Sequence, residues 1–153
     1  MKNSIILLMG ILWTLCSCSE VEVTDYSSDN FIQFEKAAKD STIFSFAYDQ
    51  TLSTGTVKLK LNCIANLSDK DRVFGIQYLA DESTAQAGVD FVMPDEEQIL
   101  PANDSVAYIE IQLNKSDNVK TKDLLLVFGV TDYGDFKPGM NAYRKTGSLF
   151  RTN

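Results

Sequence analysis

The chain contains no histidine. That removes Ser-His-Asp and Cys-His catalytic arrangements, histidine general bases and histidine zinc ligands together. Cysteine is scarce, at positions Cys16, Cys18 and Cys63. The first two fall in the amino-terminal segment, so Cys63 stands alone in the body and no internal disulfide is expected. Positive charge is in deficit, with 14 Lys and Arg against 21 Asp and Glu. Nucleic acid is excluded as a partner, because phosphate binding needs clustered Lys and Arg. The deficit also disfavours electrostatic binding to anionic lipid, while solubility, cation binding and neutral ligands such as sugars stay compatible with it. No Gly-rich phosphate loop is present. The apolar run over residues 5–15 is eleven residues long, short of the ~20 needed to cross a bilayer core.

What is present at the amino terminus is an address. Met1-Lys2-Asn3 supplies one positive charge, an apolar run follows, and Leu15-Cys16-Ser17-Cys18 closes the segment. That order is the order of a secretory signal peptide. The closing tetrapeptide resembles a bacterial lipobox, which implies cleavage between Ser17 and Cys18 and acylation of Cys18. Cys16 is a poorer acceptor, since Leu15 is large where a small residue is wanted. Ser19, Glu20, Glu22 and Asp25 follow at once. An acidic stretch behind the lipid cysteine resembles the surface-export signal of Bacteroidetes lipoproteins; it also reads as a plain acidic linker. The expected location is the outer membrane, lipid-anchored, on the cell surface or on the periplasmic face. Acyl chains at about 0.8 kcal/mol per buried methylene would hold the protein there.

The expected organisation is a signal peptide over residues 1–17, a lipidated cysteine with a polar tether over 18–29, and one domain over 30–153. No long helix is signalled. Period-two alternation recurs instead, with turn residues between the runs. The cleanest case places Val57, Leu59, Leu61 and Cys63 on one face and Lys58, Lys60 and Asn62 on the other. Cys63 is thereby a buried hydrophobe rather than a nucleophile. Phe44, Phe46 and Tyr48 alternate over residues 43–48, Phe74, Ile76 and Tyr78 over 72–80, and Ala107, Ile109, Ile111 and Leu113 over 105–113. Residues 124–131 are apolar on both faces, as a central strand is. Short strands are also expected at 31–34, 90–93, 97–100 and 147–151. Seven to eight antiparallel strands at this spacing predict an all-β, immunoglobulin-like sandwich. The weak final strand predicts an open sheet edge beside residues 124–131.

The run Thr84-Ala85-Gln86-Ala87-Gly88-Val89-Asp90-Phe91, then Leu100-Pro101-Ala102-Asn103-Asp104 and a long alternating strand, resembles the Calx-beta domain. With the lipobox, the tether and Phe31-Ile32-Gln33-Phe34, the chain is also similar to a domain-of-unknown-function family of Bacteroidetes lipoproteins. Members of that family are often encoded beside SusC/SusD-type glycan-uptake proteins. The run has a physical reading of its own. Ala85, Ala87 and Gly88 allow a close crossing of the sandwich end, Gly88 suits a backbone angle that other residues resist, and Asp90 can fix the turn through nearby backbone amides.

The resemblance implies a weak calcium site at one end of the sandwich, at Asp81, Glu82 and Asp104, with Glu35 nearby. The chain departs from the calcium-binding pattern at Asn114-Lys115-Ser116-Asp117-Asn118, where Lys115 replaces an acidic run; otherwise no cofactor is expected. Sugar platforms need exposed aromatics, and Tyr133, Phe136 and Tyr143 around the 132–139 loop are the candidates. Asp95, Glu96 and Glu97 are adjacent carboxylates, but in one turn they read as a solvated run rather than a glycosidase pair. The expectation is a non-enzymatic binding or accessory module associated with glycan capture. Its partners would be the membrane, a glycan and SusC/SusD-type proteins. The alternative is a structural or adhesive module acting through sheet edges.

Overall fold

Two facing sheets make up the computed structural model, which describes residues 29–152. Strands β1 (Phe31–Phe34), β3 (Thr54–Ile64), β6 (Val106–Asn114) and the two-residue β8 (Lys137–Pro138) form one sheet, in the order β6-β3-β1-β8. Strands β2 (Thr42–Ser45), β4 (Arg72–Tyr78), β5 (Glu97–Leu100), β7 (Leu124–Thr131) and β9 (Lys145–Arg151) form the other, in the order β2-β9-β7-β4-β5. Most pairs are antiparallel; β1 with β8 and β2 with β9 are parallel. A single short helix, α1 (Asp117–Thr121), follows β6 among the described residues.

The alternation read from the sequence sets the layers. Val57, Leu59 and Leu61 of β3 are buried with Ala107, Ile109, Ile111 and Leu113 of β6. Facing them are Phe74 and Ile76 of β4, Leu124, Leu126, Phe128 and Val130 of β7, and Phe150 of β9. Tyr78, Phe91 and Phe128 pack as an aromatic cluster with ring centroids 5.1–6.1 Å apart. Each such buried side chain contributes about 1.5–3 kcal/mol relative to exposure.

Several expectations change. The 147–151 strand is neither weak nor terminal in the sheet. β9 begins at Lys145 and lies between β7 and β2, so β7 is paired on both sides and the predicted open edge beside it does not exist. The edges are β2 and β5 in one sheet and β6 and β8 in the other. Residues 90–93 form no strand; Phe91 makes two isolated bridges, to Ala87 and to Leu113. The alternation over 43–48 breaks after Phe46, because Asp49 accepts hydrogen bonds from the Thr51 amide and hydroxyl and turns the chain; Tyr48 is 95% exposed. Cys63 is half-buried at the margin of the core, and burial pushes its thiol above the usual range against the opposing pull of Arg72.

The two ends of the sandwich are closed by buried charges. At one end Asp90 is fully buried. Its carboxylate accepts from the Gln86 amide at 2.7 Å, the Ser116 hydroxyl at 2.5 Å and the Asn118 amide at 3.1 Å. The Thr84–Phe91 run is thereby tied to the start of α1, and Tyr78 adds a hydroxyl bond to the Ala85 carbonyl. Ala85 is buried. Gly88 has φ +77° with nothing near its Cβ position, so it is needed there for its angle alone. At the other end Arg72 is 7% exposed. It donates to the carbonyls of Asn66 at 3.0 Å and Asp104 at 3.3 Å and stacks 5.0 Å above the Phe136 ring.

Candidate functional site

A cleft of about 340 Å³ lies on the outer face of the five-stranded sheet, lined by Gly75, Gln77, Glu96, Glu97, Thr131 and Tyr133. Its floor is one row of the sheet. Glu97 of β5, Gly75 of β4 and Thr131 of β7 stand opposite one another in register. Strands are about 4.8 Å apart, so Glu97 and Thr131 frame a gap two strands wide. Gly75 lets Thr131 and Tyr133 pack directly over its backbone. A Cβ there would sit 2.2 Å from the Thr131 hydroxyl and 2.7 Å from the Tyr133 Cβ.

The turn after β7 delivers Tyr133 into this gap. Tyr133 and Phe136 close a tight turn through their backbone groups, with Gly134 at φ +64°. Asp135 pins the turn to β4. Its carboxylate accepts from the Val73 amide at 2.7 Å, and its own amide donates to the Val73 carbonyl at 2.8 Å. The turn sends its two aromatic residues to opposite sides. Phe136 goes inward, edge-on to Phe74 at 6.5 Å. Tyr133 stays outside, 48% exposed, and its hydroxyl donates to Glu97 Oε2 at 2.7 Å. Accepting that bond, and carrying a negative charge beside it, Glu97 holds the Tyr133 phenol above the usual tyrosine range. The result is an immobilised ring with a free face, two carboxylates and the Gln77 amide. Such a set can stack on the apolar face of a pyranose and hydrogen-bond its hydroxyls.

The predicted site residues divide. Tyr133 lines the cleft. Phe136 is 2% exposed and belongs to the core, so it offers no surface to a ligand. Tyr143 is half-buried in a 3-10 turn (Asn141–Tyr143) and does not line the cleft. The calcium set does not assemble. Asp81 and Glu82 sit in a 3-10 turn beyond the end of β4, with Glu82 paired to Lys145. Asp104 lies by Arg72 at the start of β4, about 20 Å away by the rise of seven strand residues. Glu35 is paired to Lys60. Among the described residues no three Cys, Asp or Glu side chains are placed to hold a metal ion. Cys18 and the signal peptide lie outside the described residues.

The sequence reading overlooked Gly75, Gln77 and Thr131, and took Glu96 and Glu97 only as a charge run. One signal was available: an isolated glycine inside a strand marks a close approach.

No curated protein matches the chain. Solved structures do. The calcium binding domain CBD12 of CALX1.1 superposes with a TM-score of 0.58 at 14% identity, over 80% of this chain and 44% of that one. A protein from Bacteroides ovatus ATCC 8483 described as a "putative carbohydrate binding protein" superposes at 0.50 and 13% identity, over 80% of this chain and 37% of that one. The chain thus spans less than half the length of either, and at these identities the likeness is one of fold: an all-β, Calx-beta-like sandwich with mixed sheets. A family model matches residues 25–153, and the chain belongs to that family, the Domain of unknown function (DUF4843).

Proposed function

We propose that this protein is a non-catalytic glycan-binding module and that the Tyr133 cleft is its binding site. The observation that carries the reading is Tyr133 itself, an exposed ring seated over Gly75 and locked by Glu97. The cleft carries Glu96 and Glu97 and no lysine or arginine, so it favours neutral sugars over anionic ones. The fold shared with the Bacteroides ovatus neighbour is in keeping with this reading. Acylation of Cys18 would hold the module on the outer membrane, with the cleft free to hand glycans to SusC/SusD-type partners.

Affinity electrophoresis of the purified full chain against a panel of neutral polysaccharides tests the site. At least one should retard the wild type, and Tyr133→Ala should weaken that binding about tenfold or more, the scale of losing one stacked aromatic. Equal retardation of wild type and variant would remove Tyr133 from the site. For the anchor, mass spectrometry should find Cys18 acylated, and Cys18→Ser should leave the membrane fraction.

A further inference from the structure

The four-stranded sheet carries a second groove, of about 290 Å³, on the other side of the molecule from the Tyr133 cleft. It exists because β1 is short. β1 pairs with β3 only from Leu61 to Ile64, and the Glu35 amide makes the last bond of the ladder, to the Lys60 carbonyl. β3 runs on to Thr54 with no strand on that side among the described residues. The chain crosses there to the other sheet, and the opening is lined by Glu35, Lys36, Lys58, Lys60, Tyr108 and Thr42.

Its chemistry is the reverse of the first cleft. Three lysines line it beside Glu35, with Glu110 at its margin on Lys58, in a chain whose overall formal charge is −7. The lysines are held in place. Lys58 pairs with Glu110 at 2.8 Å and Lys60 with Glu35 at 2.5 Å, and each carboxylate partner raises its lysine above the usual range. Lys60 and Tyr108 are cross-strand neighbours, and the Lys58 ammonium stands 5.4 Å from the Tyr108 ring centroid. Tyr108 is 56% exposed. An exposed ring beside two lysines, with Lys36 and Thr42 also lining the groove, fits a ring-shaped ligand that bears an anion.

We propose that this groove is a second binding site, independent of the Tyr133 cleft, for a saccharide carrying a carboxylate or sulfate group. The ammonium groups take the anion and Tyr108 stacks on the sugar face. A surface of lysines alone would bind any polyanion. The aromatic ring is what makes the groove selective for sugar.

The test is affinity electrophoresis of the purified full chain in dextran sulfate, dextran, polygalacturonate and its methyl ester. With Tyr133→Ala removing the first site, retardation is expected in at least one of the two anionic polymers and not in its neutral counterpart. Tyr108→Ala should weaken it about tenfold, Lys58→Gln with Lys60→Gln should abolish it, and Tyr133→Ala should leave it unchanged. All four positions are on the surface, and circular dichroism checks that each variant is folded. Equal retardation of the Tyr133→Ala variant by the neutral polymers would overturn the proposal. So would indifference to Tyr108→Ala, which would mean simple ion exchange. Co-sedimentation with phosphatidylglycerol vesicles that depends on Tyr108 as strongly would also overturn it, in favour of a membrane surface.

Discussion

The two ends of the sandwich each bury an ionisable side chain that has no ion-pair partner among the described residues, and they satisfy it differently. Asp90 is met by three separate donors, from Gln86, Ser116 and Asn118. Arg72 is met by two carbonyls and a ring, and its Nε has no partner. The Asp90 end faces its carboxylate with donors, so it offers a cation no converging oxygens. The Arg72 end is plugged by Phe136. The two larger clefts lie away from these ends, one on each sheet.

The comparison predicts an order of stabilities. Asp90→Ala should cost the most, about 3 kcal/mol or more in denaturant unfolding, because it removes the buried acceptor that three donors share. Asp90→Asn should recover little, since its amide group meets donors. Arg72→Ala should cost less, about 2 kcal/mol, from two hydrogen bonds and the stacking on Phe136. If Arg72→Ala proves the costlier of the two, the ranking of the ends is reversed. Gly88→Ala should cost about 1–2 kcal/mol, the penalty of a left-handed backbone with a Cβ, with no steric addition.

The smallest effect lies on the open face. The Tyr133 phenol should titrate above the usual tyrosine range by ultraviolet absorbance, and Glu97→Gln should bring it down. The sign is that of a raised phenol: its bond to Glu97 is intact below the ordinary tyrosine value and is lost as pH climbs through the elevated one. No change on Glu97→Gln would break the link between these residues.

The strands that could be read from the sequence were those with a clear apolar pattern. β3 and β6 fall within a residue or two of their expected bounds, because alternation reports burial directly, and β7 was legible as an unbroken apolar run. Asp90 was legible too, since a short carboxylate next to a turn has few other uses. The failures are long-range. Nothing local to Lys145 or Gly147 reveals that β2 will pair with β9 and make it internal. Nothing near Phe136 tells it apart from Tyr133; the turn that sends one inward and the other outward is fixed by Asp135 reaching β4, 62 positions earlier. The cleft depends on Gly75, Glu97 and Thr131 meeting in register across three strands, which only the sheet reveals.

The central claim is that a tyrosine becomes a sugar platform by its seat and not by its exposure. Tyr48 is the better exposed, at 95% against 48% for Tyr133, and does not line this cleft. The decisive measurement is binding of the neutral polysaccharide that the wild type prefers, by calorimetry, for Tyr133→Ala and Tyr48→Ala side by side. Affinity should fall about tenfold or more for the first and be unchanged for the second. Equal affinities in both, or a loss only with Tyr48→Ala, would contradict it.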